Sequence, residues 1–63
     1  MAGLTKVKFK ILKDKGNYFF VAQGLNQRWI PKSQCYEPDN KMWVGNYVTV
    51  TMPVWLAKKK GLV

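Results

Sequence analysis

The sequence predicts an all-β fold, a small antiparallel barrel of five strands followed by a short C-terminal helical turn. Two observations carry this prediction. Apolar and lysine residues alternate with period two near the start of the chain, and clusters of Gly, Pro, Asn and Asp recur at short intervals between apolar segments. Closing a small sheet into a barrel removes the strand edges that otherwise promote aggregation. We therefore expect residues 1–63 to form one barrel, SH3-like or OB-like in topology, with residues 1–3 and 61–63 loose.

A hairpin is expected first. Residues 4–12 read as a strand whose two faces differ, with Val7, Phe9 and Ile11 on one face and Lys6, Lys8 and Lys10 on the other. The Asp, Gly and Asn of residues 13–17 are typical of a tight turn. Residues 18–23 read as a second strand that is apolar on both faces, so one of these faces is expected to carry aromatic surface.

Three more strands are expected after this hairpin. A turn at residues 23–26 leads to a short strand at 27–30, which Pro31 ends or confines to a sheet edge. Residues 31–34 suit a helical turn, and extended structure resumes at Cys35 and Tyr36.

The last long strand is expected between Met42 and about Met52, after a turn at residues 38–41. Gly45 reads as a bulge, and Val48 and Val50 should face away from the polar residues that alternate with them.

Pro53 suits the first position of a short helix over residues 54–60, which Gly61 would end. Lys58, Lys59 and Lys60 would then lie at the negative end of the helix dipole. Trp55, Leu56 and Leu62 are expected to cap the open end of the barrel.

Composition argues against several classes of protein. The chain has 63 residues, with eleven Lys or Arg, three Asp or Glu, no His and one Cys. Without imidazole, and with acids mostly in turn-like sequence, acid–base catalysis is not expected. Cys35 has no second Cys or His with which to hold a metal, so we assign it no chemistry and expect no cofactor. A lone Cys favours a reducing, cytoplasmic setting, and no apolar run of about 18 residues indicates a membrane span.

The formal charge of +8 is concentrated in two clusters. Residues 1–15 hold five Lys and one Asp, a net charge of +4, residues 58–60 hold +3, and the remaining residues together add +1. Lys6, Lys8 and Lys10 would lie roughly 6.6–6.8 Å apart, close to the spacing of phosphates along an extended nucleic-acid strand. The alternative is that they solubilise a sheet face and block edge pairing. Lys58 to Lys60 are open to the same two interpretations, as a phosphate clamp or as helix-end cations.

Nine aromatic residues are too many for so small a core, and we place Tyr18 or Phe20, with Trp43 and Tyr47, on the surface. Exposed aromatic rings beside a cationic groove are typical of proteins that stack the bases of single strands. Arg28 beside Trp29 is a further candidate for stacking. The candidate nucleic-acid-binding residues are Lys6, Lys8, Lys10, Tyr18, Phe20, Arg28, Lys32, Trp43, Tyr47, Lys58, Lys59 and Lys60.

Two segments of the chain resemble segments of known proteins. They are Trp-Ile-Pro-Lys-Ser-Gln at 29–34 and Met-Pro-Val-Trp-Leu-Ala-Lys-Lys-Lys-Gly-Leu at 52–62. Both are similar to segments of short, mostly uncharacterised proteins of bacteriophages and mobile elements, often encoded near replication and recombination genes. The resemblance implies a phage-type accessory protein that acts on nucleic acid or on the replication apparatus, in the cytoplasm of a host cell. The matching residues look structural, and Trp29 and Trp55 are expected to pack as a pair.

Two functions follow as hypotheses. The first is a non-enzymatic protein that binds single-stranded DNA or RNA with little sequence preference. The alternative is a protein-interaction module, a phage-encoded inhibitor or adaptor, whose aromatic surface docks on a host or phage replication protein. Either is compatible with homo-oligomerisation, and no membrane partner is expected because the one helical segment is short.

Overall fold

The computed structural model describes residues 3–63 and consists of one antiparallel sheet and a short helix. Met1 and Ala2, which belong to the segment expected to be loose, lie outside the described residues. The sheet has the strand order β3-β2-β1-β4. Its elements are β1 (Leu4–Asp14), β2 (Tyr18–Gln23), β3 (Asn26–Pro31), a 3₁₀ turn (Lys32–Gln34), β4 (Tyr47–Pro53) and α1 (Val54–Lys59).

The expected five-stranded barrel is replaced by a four-stranded open sheet in the described residues. The segment expected to begin the last strand at Met42 instead forms a loop up to Asn46. Gly45 has a φ of +92°, outside the extended region, and the Asn46 N–H donates to the Trp43 carbonyl at 3.0 Å, which makes a turn. Cys35 and Tyr36, expected to begin a strand, contribute only one isolated bridge, between Tyr36 and Thr51.

This bridge belongs to a segment that covers the outer edge of β4. Tyr36 and Thr51 exchange two backbone hydrogen bonds of 2.8 Å. The Asp39 N–H donates to the Thr49 carbonyl at 3.0 Å, and the Asp39 carboxylate accepts the Thr49 N–H at 2.8 Å. Residues 36–39 therefore satisfy backbone groups that an edge strand would otherwise leave open.

The core lies on one face of the sheet, as the alternation in β1 predicted. β2, which is apolar on both faces, also turns one face to the core: Phe19 and Val21 point inward, and Tyr18 and Phe20 point outward. Each well-buried Val, Ile or Phe contributes about 1.5–3 kcal/mol relative to an exposed one. The buried apolar residues are Val7, Phe9, Ile11, Phe19, Val21, Ile30, Val48, Val50, Met52, Leu56, Ala57 and Leu62.

Helix α1 packs on this core face through Leu56 and Ala57. Gly61, with a φ of +70°, ends the helix, and the Leu62 N–H donates back to the Ala57 carbonyl at 2.8 Å. This Schellman arrangement returns Leu62 to the core, so this part of the segment 61–63 is anchored. Pro53, expected at the first helical position, instead closes β4 opposite Leu4 and caps the helix.

The two tryptophans expected to form a packed pair do not. Trp55 is 53% exposed on α1 and does not cap the core, while Trp29 is 40% exposed on β3. Trp29 follows the period of its strand, in which the neighbouring Ile30 is the residue that points inward. No helix within residues 3–63 has the length and apolar character needed to cross a membrane.

Candidate nucleic-acid interface

The face of the sheet opposite the core, here called the outer face, carries a row of lysines along β1. We call Lys6, Lys8 and Lys10 the lysine row. They lie opposite Thr51, Thr49 and Tyr47 of β4, respectively. Lys6 and Lys8 are exposed and Lys10 is half-buried. The period of two that buries Val7, Phe9 and Ile11 therefore aligns three ammonium groups on one open surface.

Tyr47 borders the lysine row on the β4 side. It is 61% exposed, and the Lys10 Nζ lies 5.7 Å from the centre of its ring. A cation at this distance is attracted by the π-electrons of the ring. The contact holds one lysine and one aromatic ring at neighbouring positions on the outer face.

An aromatic pair lies on the β2 side of the outer face, past the Lys10 end of the row. Phe20 and Trp29 are directly opposite in the β2–β3 ladder, with ring centroids 4.7 Å apart and planes inclined by 40°. Tyr18, two residues before Phe20 on the same face of β2, is 50% exposed. The outer face thus has Tyr47 beside Lys10 on the β4 side and a group of aromatic side chains past the Lys10 end of the row on the β2 side.

A fourth lysine joins this surface because of a β-bulge. The β1–β2 register shifts between Ile11 and Lys13, and Lys13 comes to lie opposite Phe20. A strict alternation from Val7 would have turned Lys13 towards the core face. The bulge thereby places Lys13 on the outer face beside the Phe20 and Trp29 pair.

Trp43 lies in the turn that leads into β4, and 64% of it is exposed. The turn is fixed against the end of β1, because the Gly45 N–H donates to the Ile11 carbonyl at 2.7 Å and the Ile11 N–H donates to the Asn46 carbonyl at 3.0 Å. The Lys41 Nζ lies 5.5 Å from the Trp43 ring. This is a second lysine–aromatic contact, next to the β4 end that carries Tyr47.

Two of the basic candidates from the sequence lie elsewhere. Arg28 is opposite Val21, on the core side of the β2–β3 hairpin, and its Nη1 donates to the Gln27 carbonyl at 2.9 Å. Lys32 forms an ion pair with Asp14 at 2.5 Å, and its Nζ lies 4.6 Å from the Phe19 ring. Both residues have local structural partners and neither belongs to the lysine row.

The Asp14 carboxylate is held in its charged form by this pair. The hydrogen bond from Lys32 lowers the pKa of Asp14 below its ordinary value of 3.8, and the Gly16 N–H, which donates at 3.1 Å, adds to the effect. The contact ties the 3₁₀ turn to the end of β1.

The lysines at the end of the chain form a separate surface. Lys58 and Lys59 are exposed and Lys60 is half-buried, in the last turn of α1 and at its C-cap. Because α1 packs on the core face, the structure does not bring Lys58 to Lys60 together with the lysine row.

Cys35 is half-buried against the core, and its thiol donates to the Pro31 carbonyl with a sulfur–oxygen distance of 3.6 Å. Burial raises the pKa of Cys35 to about 11. Residues 3–63 contain no cluster of three or more His, Cys, Asp or Glu side chains that would hold a metal.

Sequence reasoning missed three residues of this surface: Trp29, Lys13 and Lys41. For Trp29 a signal was present, since a two-residue turn at Gly24 and Leu25 sets Phe20 opposite Trp29. The position of Lys13 depends on a β-bulge and that of Lys41 on a loop, and neither feature produces a periodic pattern in the sequence.

In comparisons with known proteins, no family model, no curated protein and no solved structure matches the chain.

Proposed function

We propose that this protein binds single-stranded DNA or RNA with little sequence preference, as a non-enzymatic accessory protein. One observation carries the proposal: the lysine row shares the outer face with aromatic side chains of β4 and of the β2–β3 hairpin. Charge and stacking surface are thus combined on one face, which is the arrangement by which sequence-tolerant proteins hold single strands.

The lysines would hold the phosphates. Their spacing of roughly 6.6–6.8 Å follows from the rise of a strand, and it is close to the distance between successive phosphates of an extended chain. Ammonium groups on flexible stems act as point charges and select no base. Asp14 at the end of β1 does not cancel this charge, because it is paired with Lys32.

The aromatic rings would hold the bases. Tyr47 and Trp43 lie towards β4, and Tyr18 and the Phe20 and Trp29 pair lie towards β3. Stacking on such rings contributes roughly 1–3 kcal/mol per base and needs unpaired bases, whose flat faces are accessible. This requirement is the reason for the proposed preference for single strands over duplex.

The role of a phage-type accessory protein rests on the sequence resemblance of residues 29–34 and 52–62 alone. In that role the protein would act in the host cytoplasm, beside the replication apparatus. Lys58 to Lys60 would add a second, weaker phosphate contact from the helix.

A salt titration tests the proposal. The fluorescence anisotropy of a labelled oligonucleotide is followed at several salt concentrations, once as a single strand and once as a duplex. If Lys6, Lys8, Lys10 and Lys13 each neutralise one phosphate, the log–log slope for the single strand is about −2.8. Absence of binding at low salt would overturn the proposal, and tighter binding of the duplex would overturn the preference.

A second candidate, a module that docks on a host protein, is favoured by apolar side chains outside the outer face. Trp55 is 53% exposed on α1, and Val63, which follows the helix, is 63% exposed. Exposed Trp residues often anchor protein interfaces. A pull-down from nuclease-treated host lysate separates the candidates: one host protein retained by the wild type and lost in Trp55→Ala would support docking.

A further inference from the structure

The tip of the β2–β3 hairpin carries the most exposed apolar side chain of the described residues. Leu25 is 102% exposed, whereas the next large apolar residue, Trp43, is 64% exposed. A leucine with this exposure packs against nothing in its own chain. It therefore contributes no packing energy to the fold, and its apolar character is free to act on a ligand.

The turn presents this leucine in a defined direction. Gln23 and Asn26 form the last pair of the ladder, so Gly24 and Leu25 are a two-residue loop. Gly24 has a φ of +62°, and Leu25 does not have a positive φ. Glycine with positive φ at the first central position defines a type II′ turn, which matches the twist of its two strands and holds the hairpin tip in one shape.

The tip lies beside the lysine row. β2 pairs with β1 up to Ala22, opposite Lys10, and one residue later the Gln23 Nε2 donates to the Lys8 carbonyl at 3.2 Å. The side chain of Gln23 thus fixes the start of the turn to the strand that carries the row. The side chains around the tip, Gln23, Asn26 and Gln27, are polar and include no acid.

We propose that Leu25 is a wedge that packs against the last base pair of a stem, while the single strand leaving that stem lies on the lysine row. The ligand is then a junction between duplex and single strand. The inference rests on the proposed function, because it needs a strand on the outer face. Leucine is among the apolar side chains that proteins insert against base steps, and the side-chain amides around it suit base edges and phosphates.

The experiment compares three labelled oligonucleotides: a single-stranded tail, the same tail attached to a base-paired stem, and the blunt stem. Their dissociation constants are measured for wild type, Leu25→Ser, Leu25→Met and Leu4→Ser. Leu4 is the matched control, because it is another exposed leucine but lies on β1, beyond Lys6 at the end of the lysine row, and not on the β2–β3 hairpin. Thermal unfolding of Leu25→Ser should match wild type, since the side chain has no packing to lose.

We expect the wild type to bind the tailed stem at least about fivefold more tightly than the tail alone, a gain that one partly covered leucine can supply. Leu25→Ser should lose this preference and keep its affinity for the tail, while Leu25→Met and Leu4→Ser should keep both. If Leu25→Ser still prefers the tailed stem to the tail alone, or if the wild type has no such preference, the proposed role of Leu25 is overturned. The proposal of single-strand binding is then unaffected. If the wild type binds no oligonucleotide, both proposals fall.

Discussion

Lys10 and Tyr47 face each other across β1 and β4, with the ammonium nitrogen 5.7 Å from the centre of the ring. The contact joins the two kinds of side chain that a single-strand surface requires, a cation for phosphate and a ring for a base. It arises from the register of the β1–β4 ladder, which places the outward-facing residues of β1 directly opposite the outward-facing residues of β4.

The Phe20 and Trp29 pair should contribute more to the affinity for single strands than Trp55, the tryptophan of α1. We predict that Trp29→Ala weakens single-strand binding by about tenfold, the loss of one base stack. Trp55→Ala is the control, since Trp55 is also exposed but lies on α1, outside the outer face. Anisotropy titrations of the two variants measure the difference. Equal losses in both would contradict the placement of bases on the outer face.

The ion pair of Asp14 and Lys32 should make stability depend on pH. Because the pKa of Asp14 is lowered by the Lys32 hydrogen bond, the pair stabilises the fold above 3.8 and loses its effect as the pH falls through the folded-state pKa. Lys32→Gln should therefore lower the urea midpoint at pH 7, and part of this deficit should vanish in acid. The part due to the contact with Phe19 should stay constant.

The matched control for this prediction is Lys41→Gln, which removes a lysine that has no ion pair among the described residues. The difference between its urea midpoint and that of wild type should be the same at every pH. A deficit of Lys32→Gln that is the same at pH 7 and in acid would show that the pair has no electrostatic role.

The thiol of Cys35 should react slowly in the folded protein. Burial raises its pKa from an ordinary value of 9.0 to about 11. At a pH near 8 this reduces the reactive thiolate about a hundredfold. Alkylation by iodoacetamide, followed by mass spectrometry in buffer and in urea, measures the ratio of the two rates. Comparable rates in both would mean that the thiol is not desolvated.

The first half of the fold was predictable because its local signals agree. The alternation of Val7, Phe9 and Ile11 with lysines fixes the two faces of β1, and the Gly24 turn fixes the β2–β3 register. Trp29 could have been placed from these two facts. It was instead expected to pack with Trp55, since a large apolar residue in a small protein is usually buried.

The second half was harder to predict because backbone geometry overrides side-chain preference there. Met42, Trp43 and Val44 have strand-like side chains, yet Gly45 adopts a positive φ and Asn46 closes a turn through its own N–H. The Asn46 side chain also donates to the Lys41 carbonyl at 3.0 Å. Such local bonds from Asn compete with a strand ladder, and no periodic pattern reveals them.

In the proposed function the lysine row, and not net charge alone, binds the single strand. Two triple variants separate position from charge: Lys6, Lys8 and Lys10 each to Gln, and Lys58, Lys59 and Lys60 each to Gln. Both lower the formal charge from +8 to +5. We predict that the first variant reduces the salt slope by about 2 and the affinity at least about tenfold, while the second changes both far less. Equal losses of affinity and of salt slope in the two variants would show that the position of the lysines does not matter, which would contradict binding by the lysine row.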